Sequence, residues 1–168
     1  MRTNFLLTLA AGLGVFTILT PAAQAKPPLC TASVIEQTLI GAGKLTAEDR
    51  DGGMVVSLIR CGDVTDDGAT DAVFTIASGG TAGDIRFGVI QGGADGAGEV
   101  VLFKEGYKVG IARHDSDTFD VLQPYYRRND ANCCPSSFRQ TRYTWTGERF
   151  KAGKAKKLRK APARFYRR

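Results

Sequence analysis

The sequence predicts an α+β fold in which one amphipathic helix packs on an antiparallel sheet of meandering strands. Apolar residues recur at helical spacing only near residues 32–40, whereas the later segments are short, rich in β-branched residues and separated by glycine turns. Parallel strands would need long crossover connections that these short turns do not provide. We therefore expect a single sheet covered by a helix, stapled by disulfides.

Residues 1–25 have the features of a cleaved signal peptide. Arg2 supplies the positive charge, residues 5–20 form an almost uncharged apolar run, and Ala23 and Ala25 occupy the small-residue positions of a cleavage site. A membrane anchor is the alternative, but the run is shorter than the roughly 20 residues of a spanning helix and Pro21 closes it. We expect the mature chain to start at residue 26 and to be secreted, periplasmic or attached to the cell envelope, with no transmembrane span.

The basic residues are concentrated at the carboxyl end. The chain has 23 Lys and Arg against 17 Asp and Glu, and residues 151–168 hold nine of the basic residues and none of the acidic ones. Residues 26–150 then carry 13 basic and 17 acidic residues, a net charge of −4. The sequence thus predicts one acidic domain at 26–150, followed by a basic tail at 151–168 that should be mostly disordered because its large apolar residues are few and scattered.

The helix and the strands follow from local patterns. Thr31 is placed to cap a helix whose apolar residues Val34, Ile35, Leu39 and Ile40 share one face, and Gly41 ends it. Residues 46–53 read as a polar turn, and residues 124–137 read as a loop. The predicted strands are 54–60, 72–77, 85–91, 100–104, 107–113, 119–123 and a closing hairpin of 138–145 with 148–150.

The stretch that follows the first predicted strand resembles a calcium-binding turn. Its candidate ligands are the side chains of Asp63, Thr65, Asp67 and Asp71 and the carbonyl of Ala69, with Gly68 allowing the backbone to reverse. The spacing is similar to the short acidic loops of dockerin modules and of FG-GAP blades, which implies a structural calcium ion. The alternative is an acidic turn that binds nothing and uses its carboxylates as hydrogen-bond acceptors.

The four cysteines predict two disulfides in an exported chain. A bond between adjacent Cys133 and Cys134 is disfavoured, because neighbouring α-carbons are about 3.8 Å apart, below the usual disulfide range. We therefore expect one cysteine of the doublet to pair with Cys30 and the other with Cys61. Such bonds would clamp loop 124–137 against both the helix and the acidic turn.

Several segments together resemble the LppP/LprE-type family of actinobacterial secreted lipoproteins. The shared features are the acidic turn at 63–71, the glycine-rich turn at 79–83, the Asn-Asp-Ala-Asn-Cys-Cys-Pro-Ser-Ser segment at 129–137 and the Tyr-Thr-Trp-Thr-Gly segment at 143–147. The resemblance implies an envelope-associated or secreted domain without catalytic residues. The chain departs from the family in lacking a lipobox cysteine after its signal peptide.

These features favour a binding domain over an enzyme. The expected partner is an anionic envelope polymer or a secreted or envelope protein, attracted by charge, and an intracellular nucleic acid is not expected. The candidate partner-binding residues are Tyr125, Tyr126, Arg127, Arg128, Lys156, Lys157, Arg159 and Lys160. Three alternatives remain: a tail that only aids solubility, a secreted inhibitor or effector that inserts loop 124–137 into a partner enzyme, and a hydrolase that uses the carboxylates of the acidic turn.

Overall fold

The fold consists mostly of antiparallel β-sheet with few helices, as the sequence predicted. The computed structural model describes residues 29–93 and 97–167, so the predicted signal peptide lies outside the described residues. The elements are α1 Ala32–Gly41, α2 Ala47–Asp51, β1 Val55–Gly62, β2 Asp71–Ala77, β3 Asp84–Gly92, β4 Gly98–Glu105, β5 Gly110–Asp115, β6 Thr118–Tyr125, β7 Ser137–Trp145, β8 Phe150–Ala152, β9 Lys156–Leu158 and a 3-10 turn at Ala163–Phe165. Within the described ranges no helix is long and apolar enough to cross a membrane.

The strands form two sheets instead of the single meander expected. Sheet A has the order β1-β2-β3-β4, and sheet B has the order β5-β6-β7-β8, with β9 also pairing with β7. The predicted turn at 46–53 is also wrong, because it contains helix α2. A capping box explains that helix: the Thr46 hydroxyl accepts a hydrogen bond from the Asp49 N–H, and the Asp49 carboxylate accepts one from the Thr46 N–H.

Helix α1 covers one face of sheet A. Ile35 and Leu39 lie one turn apart on the helix, are fully buried, and pack in one cluster with Val56, Phe74 and Ile76 of the sheet. Thr31 precedes the helix, but its side chain makes no capping hydrogen bond. The helix predicted from the apolar spacing is therefore present, but only two of the four residues predicted for its buried face are buried: Val34 is half-buried and Ile40 is 42 % exposed.

The opposite face of sheet A packs on sheet B. Val73 and Val89 of sheet A share a buried cluster with Ile111, Phe119 and Val121 of sheet B. Strand β2 is therefore buried on both faces, which explains why its sequence is apolar almost throughout instead of alternating. This second core fixes the relative position of the two sheets.

The basic tail is ordered in the structure, which corrects the prediction of disorder. Lys156–Leu158 forms strand β9 against β7, and Phe165 is fully buried on the outer face of sheet B with Ala112 and Leu122. Leu158 and Ala161 pack at the edge of the same cluster. The apolar residues of the tail thus pack on sheet B, and two of its cations, Lys156 and Lys157, lie on strand β9 of that sheet.

Candidate functional site

The disulfides do not connect as the sequence predicted. Cys30 is bonded to Cys61, with their α-carbons 5.9 Å apart, and Cys133 is bonded to its neighbour Cys134. The Cys30–Cys61 bond confirms that the domain is disulfide-stapled, but both predicted links to the doublet are wrong. The cysteine loop, which we define as residues 126–136 between β6 and β7, is therefore not tied to the first half of the chain by sulfur.

The layering of the fold explains this pairing. Cys30 precedes α1, and Cys61 follows Ile59 by two positions on β1, so both lie with the cluster between α1 and sheet A. The cysteine loop extends from the strands of sheet B instead. The Cys30–Cys61 bond is thus on the α1 side of sheet A, whereas the doublet belongs to a loop of sheet B.

A lysine holds the cysteine loop to the body of the protein. The Lys108 ammonium donates to the carbonyl of Asn132, to its side-chain oxygen at 3.0 Å and to the Tyr126 hydroxyl at 3.2 Å. It also lies 5.4 Å from the ring centroid of Tyr107 and 5.7 Å from that of Tyr126. These contacts together replace the disulfide clamp that the sequence predicted.

Asp130 organises the inside of the same loop. Its carboxylate accepts hydrogen bonds from the Arg127 N–H at 2.8 Å and from the Ser136 N–H and hydroxyl at 2.7 Å each. The Arg127 bond, followed by the Ser136 bonds, holds the pKa of Asp130 below its usual range. Arg127 and Arg128 are exposed around this hydrogen-bonded turn, at the surface where the sequence placed them.

The acidic turn is built around a fully buried carboxylate. One oxygen of Asp71 accepts from the Val64 N–H at 2.7 Å, the Thr65 N–H at 2.9 Å and the Thr65 hydroxyl at 3.0 Å, and the other accepts from the Gly92 N–H at 2.9 Å. Asp71 has no exposed surface. The protein itself therefore supplies the donors that neutralise this carboxylate, and its lone pairs are directed at N–H and O–H groups.

Asp63 and Asp67, two further carboxylates of the turn, also accept hydrogen bonds. Asp63 accepts from the Gly68 N–H at 2.9 Å and the Asp67 N–H at 3.3 Å. Asp67 accepts from the Ala69 N–H at 2.8 Å and the Gln91 side chain at 2.7 Å, and the Gln91 bond is the main cause of its lowered pKa. In the described part of the chain, no cluster of three His, Cys, Asp or Glu residues is arranged to hold a metal ion.

The donor set of the turn, as folded, fits an acidic hydrogen-bonded turn better than a calcium shell. Six to eight oxygens are needed around calcium, and the most buried predicted ligand, Asp71, already faces four donors. Calcium binding through Asp63, Thr65, Asp67, Ala69 and Asp71 stays a prediction.

Strand β9 brings tail cations next to a cation of β7. The register places Lys157 directly opposite Arg139 and Lys156 opposite Gln140. Arg142, two residues further along β7 than Gln140, is paired with the buried Asp120 at 3.0 Å. Across residues 29–93 and 97–167, by contrast, neither Arg139 nor Lys157 pairs with a carboxylate.

Arg139 and Lys157 line a cleft of about 220 Å³, together with Tyr125, Ser137 and Ala155. We call it the cationic cleft. The Arg139 guanidinium lies 5.3 Å from the ring centroid of Tyr125, which is 41 % exposed. Ser137 is 1 % exposed, and its hydroxyl has no hydrogen-bond partner among the described residues. The cleft thus combines two cations, an aromatic ring and an unsatisfied hydroxyl.

A second cleft, of about 410 Å³, lies where the two sheets, the cysteine loop and the tail meet. Its lining is mostly apolar and comprises Ser57, Leu58, Gly83, Asp84, Lys108, Val109, Pro124, Tyr126, Cys133, Pro135, Phe138, Ala161 and Tyr166. The Tyr166 hydroxyl donates to the carbonyl of Lys108 at 3.0 Å, and burial, with a smaller contribution from Asp84, raises the pKa of Tyr166 to about 12. The hydrogen bond from Tyr166 thus connects the tail to Lys108, the residue that holds the cysteine loop.

The structure therefore divides the predicted partner-binding residues between two places. Tyr125 and Lys157 meet in the cationic cleft, whereas Tyr126 faces the second cleft. Arg159 and Lys160 follow β9 and are exposed, as is Lys156. Arg139 and Ser137 were not predicted as site residues. They are two residues apart on β7, so their side chains lie on the same face of the strand, and this spacing is the sequence signal that could have linked them.

Comparisons of the chain with protein-family models, with curated proteins and with solved structures found no match. The resemblance to LppP/LprE-type lipoproteins and to calcium-binding loops stays a prediction from the sequence motifs.

Proposed function

We propose that this protein is a secreted, non-enzymatic domain that binds an anionic partner, an envelope polymer, through the cationic surface of sheet B. The observation that carries the proposal is the register of β9 on β7, which sets Lys157 opposite Arg139 where neither has an acidic partner in the described chain. Unpaired like charges at adjacent positions attract polyanions and release their counterions on binding.

The proposed compartment follows from the sulfur chemistry and the amino-terminal pattern. The Cys30–Cys61 disulfide favours an oxidising environment. The signal-peptide pattern of residues 1–25 and the resemblance to secreted lipoproteins point the same way. An envelope polymer is therefore a better candidate partner than an intracellular nucleic acid.

Binding to purified cell wall over a salt series tests the proposal. Removing the tail would confuse the test, because Phe165 and Leu158 belong to a packed cluster. The test variant is instead Lys156→Gln with Lys157→Gln, and the matched control is Lys44→Gln with Lys104→Gln, which removes equal charge from the region of α1 and sheet A.

We expect the test variant to lose most of its retention at low salt, the control to keep its retention, and the retention of the wild type to fall steeply as salt rises. Retention that is equal in both variants, or that is independent of salt, would refute the proposal.

Calcium binding at the acidic turn is a separate and weaker candidate, because the carboxylates of the turn already accept hydrogen bonds from the protein. A structural calcium ion at the acidic turn would stabilise the folded state by mass action and raise the melting temperature in millimolar calcium relative to chelator. The matched variant is Asp67→Asn, which removes one of the exposed carboxylates and should abolish any shift. A wild type that melts at the same temperature in calcium and in chelator would remove calcium from the proposal.

An inhibitor function is the second candidate, and the rigidity of the cysteine loop favours it. The loop is held by the Lys108, Asp130 and Asn132 hydrogen bonds and exposes Cys133 and Cys134. A loop that is already ordered loses little conformational entropy when it enters a partner enzyme. The test is inhibition of secreted muramidase and protease activities by the purified protein, which Asn132→Ala should weaken and Lys157→Gln should leave unchanged; no inhibition by the wild type would reject this candidate.

A further inference from the structure

We propose that the cationic cleft is a subsite for one phosphate group, such as a polymer carries at each phosphodiester or phosphomonoester. This inference rests on the proposed function and makes it specific, because it names the chemical group that the anionic partner presents. It depends on three features of the cleft: its charge, its preorganised arginine and its unsatisfied hydroxyl.

The charge of the cleft is +2 and is not neutralised from within. Among the residues that the structure describes, Arg139 and Lys157 are the only charged ones in its lining, and Tyr125, Ser137 and Ala155 complete it. The carboxylate that neutralises a neighbouring arginine, Asp120, is already used by Arg142 and by the Gln140 side chain at 2.8 Å. An anion entering the cleft thus meets two cations that have no competing protein carboxylate.

The arginine is held in position by an aromatic ring. The central guanidinium carbon of Arg139 lies 5.3 Å from the centroid of the Tyr125 ring, within the range of a cation–π contact, and this contact restricts where the side chain can lie. An arginine fixed in this way presents a fork that matches two oxygens of a phosphate. Lysine contributes a point charge with rotatable donors, and the two residues together cover more than one oxygen.

Ser137 supplies the independent sign of a ligand. A hydroxyl that is 1 % exposed and has no partner in the described chain costs free energy in the folded protein. Ser137 is one of the residues that line the cleft, so an anion bound there is the candidate for the missing acceptor. A phosphate oxygen bound between Arg139 and Lys157 would accept this hydrogen bond.

Three donor groups around one small space favour phosphate over carboxylate. A carboxylate presents two oxygens in one plane, whereas a phosphate is tetrahedral: a phosphodiester adds two bridging oxygens to its two charged ones, and a phosphomonoester presents three terminal oxygens and up to two charges. A volume of about 220 Å³ holds a phosphate with the first atoms of its attached alcohol but not a whole polymer repeat of several sugars. The rest of the polymer would lie outside, along the exposed Lys156, Arg159 and Lys160.

Calorimetric titration of the full chain tests this assignment. The probes are inorganic phosphate, a short glycerol-phosphate oligomer and a glutamate oligomer of equal charge. The variants are Ser137→Ala and Lys157→Gln, with Lys151→Gln as the charge-matched control, because Lys151 is exposed on β8 opposite Thr144 and outside the cleft. Urea unfolding of each variant is measured in parallel.

We expect the glycerol-phosphate oligomer to bind at least tenfold more tightly than the glutamate oligomer, and Ser137→Ala to weaken that binding about tenfold while folding stability is unchanged or raised. If Ser137 had only a structural role, Ser137→Ala would not weaken binding while leaving the folding stability unchanged or raised. Lys157→Gln should weaken phosphate binding more than Lys151→Gln does. The affinities of the variants for inorganic phosphate should follow the same order.

Two failures are distinguishable. If neither oligomer binds at low salt, the proposed anionic partner itself is wrong. If both oligomers bind equally and Ser137→Ala and Lys157→Gln behave like Lys151→Gln, the cationic surface binds polyanions without a phosphate subsite, and a carboxylate polymer becomes an equal candidate.

Discussion

Replacing Asp71 should lower the free energy of unfolding by several kcal/mol. It is a fully buried carboxylate that accepts four hydrogen bonds, three from the backbone N–H groups of Val64, Thr65 and Gly92 and one from the Thr65 hydroxyl. Because Val64 and Thr65 belong to the acidic turn and Gly92 ends β3, this one side chain joins two segments of sheet A. The perturbation is Asp71→Ala, with Asp71→Asn as a milder version.

The structure sets the size of the effect. Asp71→Ala leaves three buried N–H donors without an acceptor, and each unsatisfied buried group costs about 1–3 kcal/mol, so we expect a loss of about 4 kcal/mol in the free energy of unfolding. Asp71→Asn keeps one acceptor oxygen but turns an NH₂ group toward at least one backbone donor, and about 2 kcal/mol should be lost. Asp63→Ala is the control, because its two N–H donors are exposed to water, and about 1 kcal/mol or less is expected.

Urea denaturation followed by tryptophan fluorescence measures these values, and each variant is measured both with calcium and with chelator. If Asp71 acts as a hydrogen-bond acceptor, its variants lose the same stability in both buffers. A loss below about 1 kcal/mol for Asp71→Ala would refute the hydrogen-bond argument. A loss that appears only in calcium would instead show that Asp71 acts as a metal ligand.

Three further predictions concern the staple, the tail and an ion pair. Replacing both Cys30 and Cys61 by Ala opens a loop of 31 residues and should lower the free energy of unfolding by about 3–4 kcal/mol in urea, and no change would show that the bond is dispensable. Phe165→Ala should cost about 3 kcal/mol because its ring is fully buried, whereas a disordered tail would show no loss. The Arg86 hydrogen bond at 3.1 Å lowers the pKa of Asp49 below 3.8, so its stabilising contribution is present above that pH and is lost as the pH falls through the lowered value. The difference in urea stability between wild type and Asp49→Asn should therefore shrink as the pH falls through the lowered pKa of Asp49, and a difference that grows on acidification would contradict the ion pair.

Local patterns predicted the elements of this fold better than they predicted its long-range pairings. The helix around Ile35 and Leu39 and the strand that follows the acidic turn are fixed by apolar spacing, which depends on neighbours in sequence. The division into two sheets depends on which faces pack together, and Val73 carries no local sign that its partners come from sheet B. Periodicity therefore predicts where the strands lie in the sequence, but not which of the two sheets each strand joins.

The sulfur pairing and the tail show the same limit. The short spacing of neighbouring α-carbons disfavours a Cys133–Cys134 bond in general, whereas the position of Cys30 beside Cys61 depends on how α1 packs. Phe165 looked isolated because the cavity it fills is made by Ala112 and Leu122 of another segment. Composition alone could not have revealed that complementary surface.

The cationic cleft was predictable only in part for a similar reason. The sequence predicts Tyr125 and Lys157 as partner-binding residues from their place in loop 124–137 and in the basic tail, which identifies their chemistry but not the residues that share the cleft with them. Arg139 lies opposite Lys157 only because β9 pairs with β7 in this register. Beyond its spacing from Arg139, Ser137 carries no sequence signal, since its importance comes from a hydroxyl that the fold buries without a partner.

The pairing of Arg139 with Lys157 costs the free protein stability. Like charges directly opposite on adjacent strands are destabilising by a few tenths to about 1 kcal/mol, and strand β9 is only three residues long. The strand is nevertheless held because Leu158 and Phe165 bury apolar surface on sheet B just beyond it. The apolar burial of the tail therefore offsets the repulsion between these two cations, and an anion bound between them would relieve that repulsion. A bound phosphate should therefore raise the melting temperature more than the same concentration of chloride, and Ser137→Ala should reduce that difference.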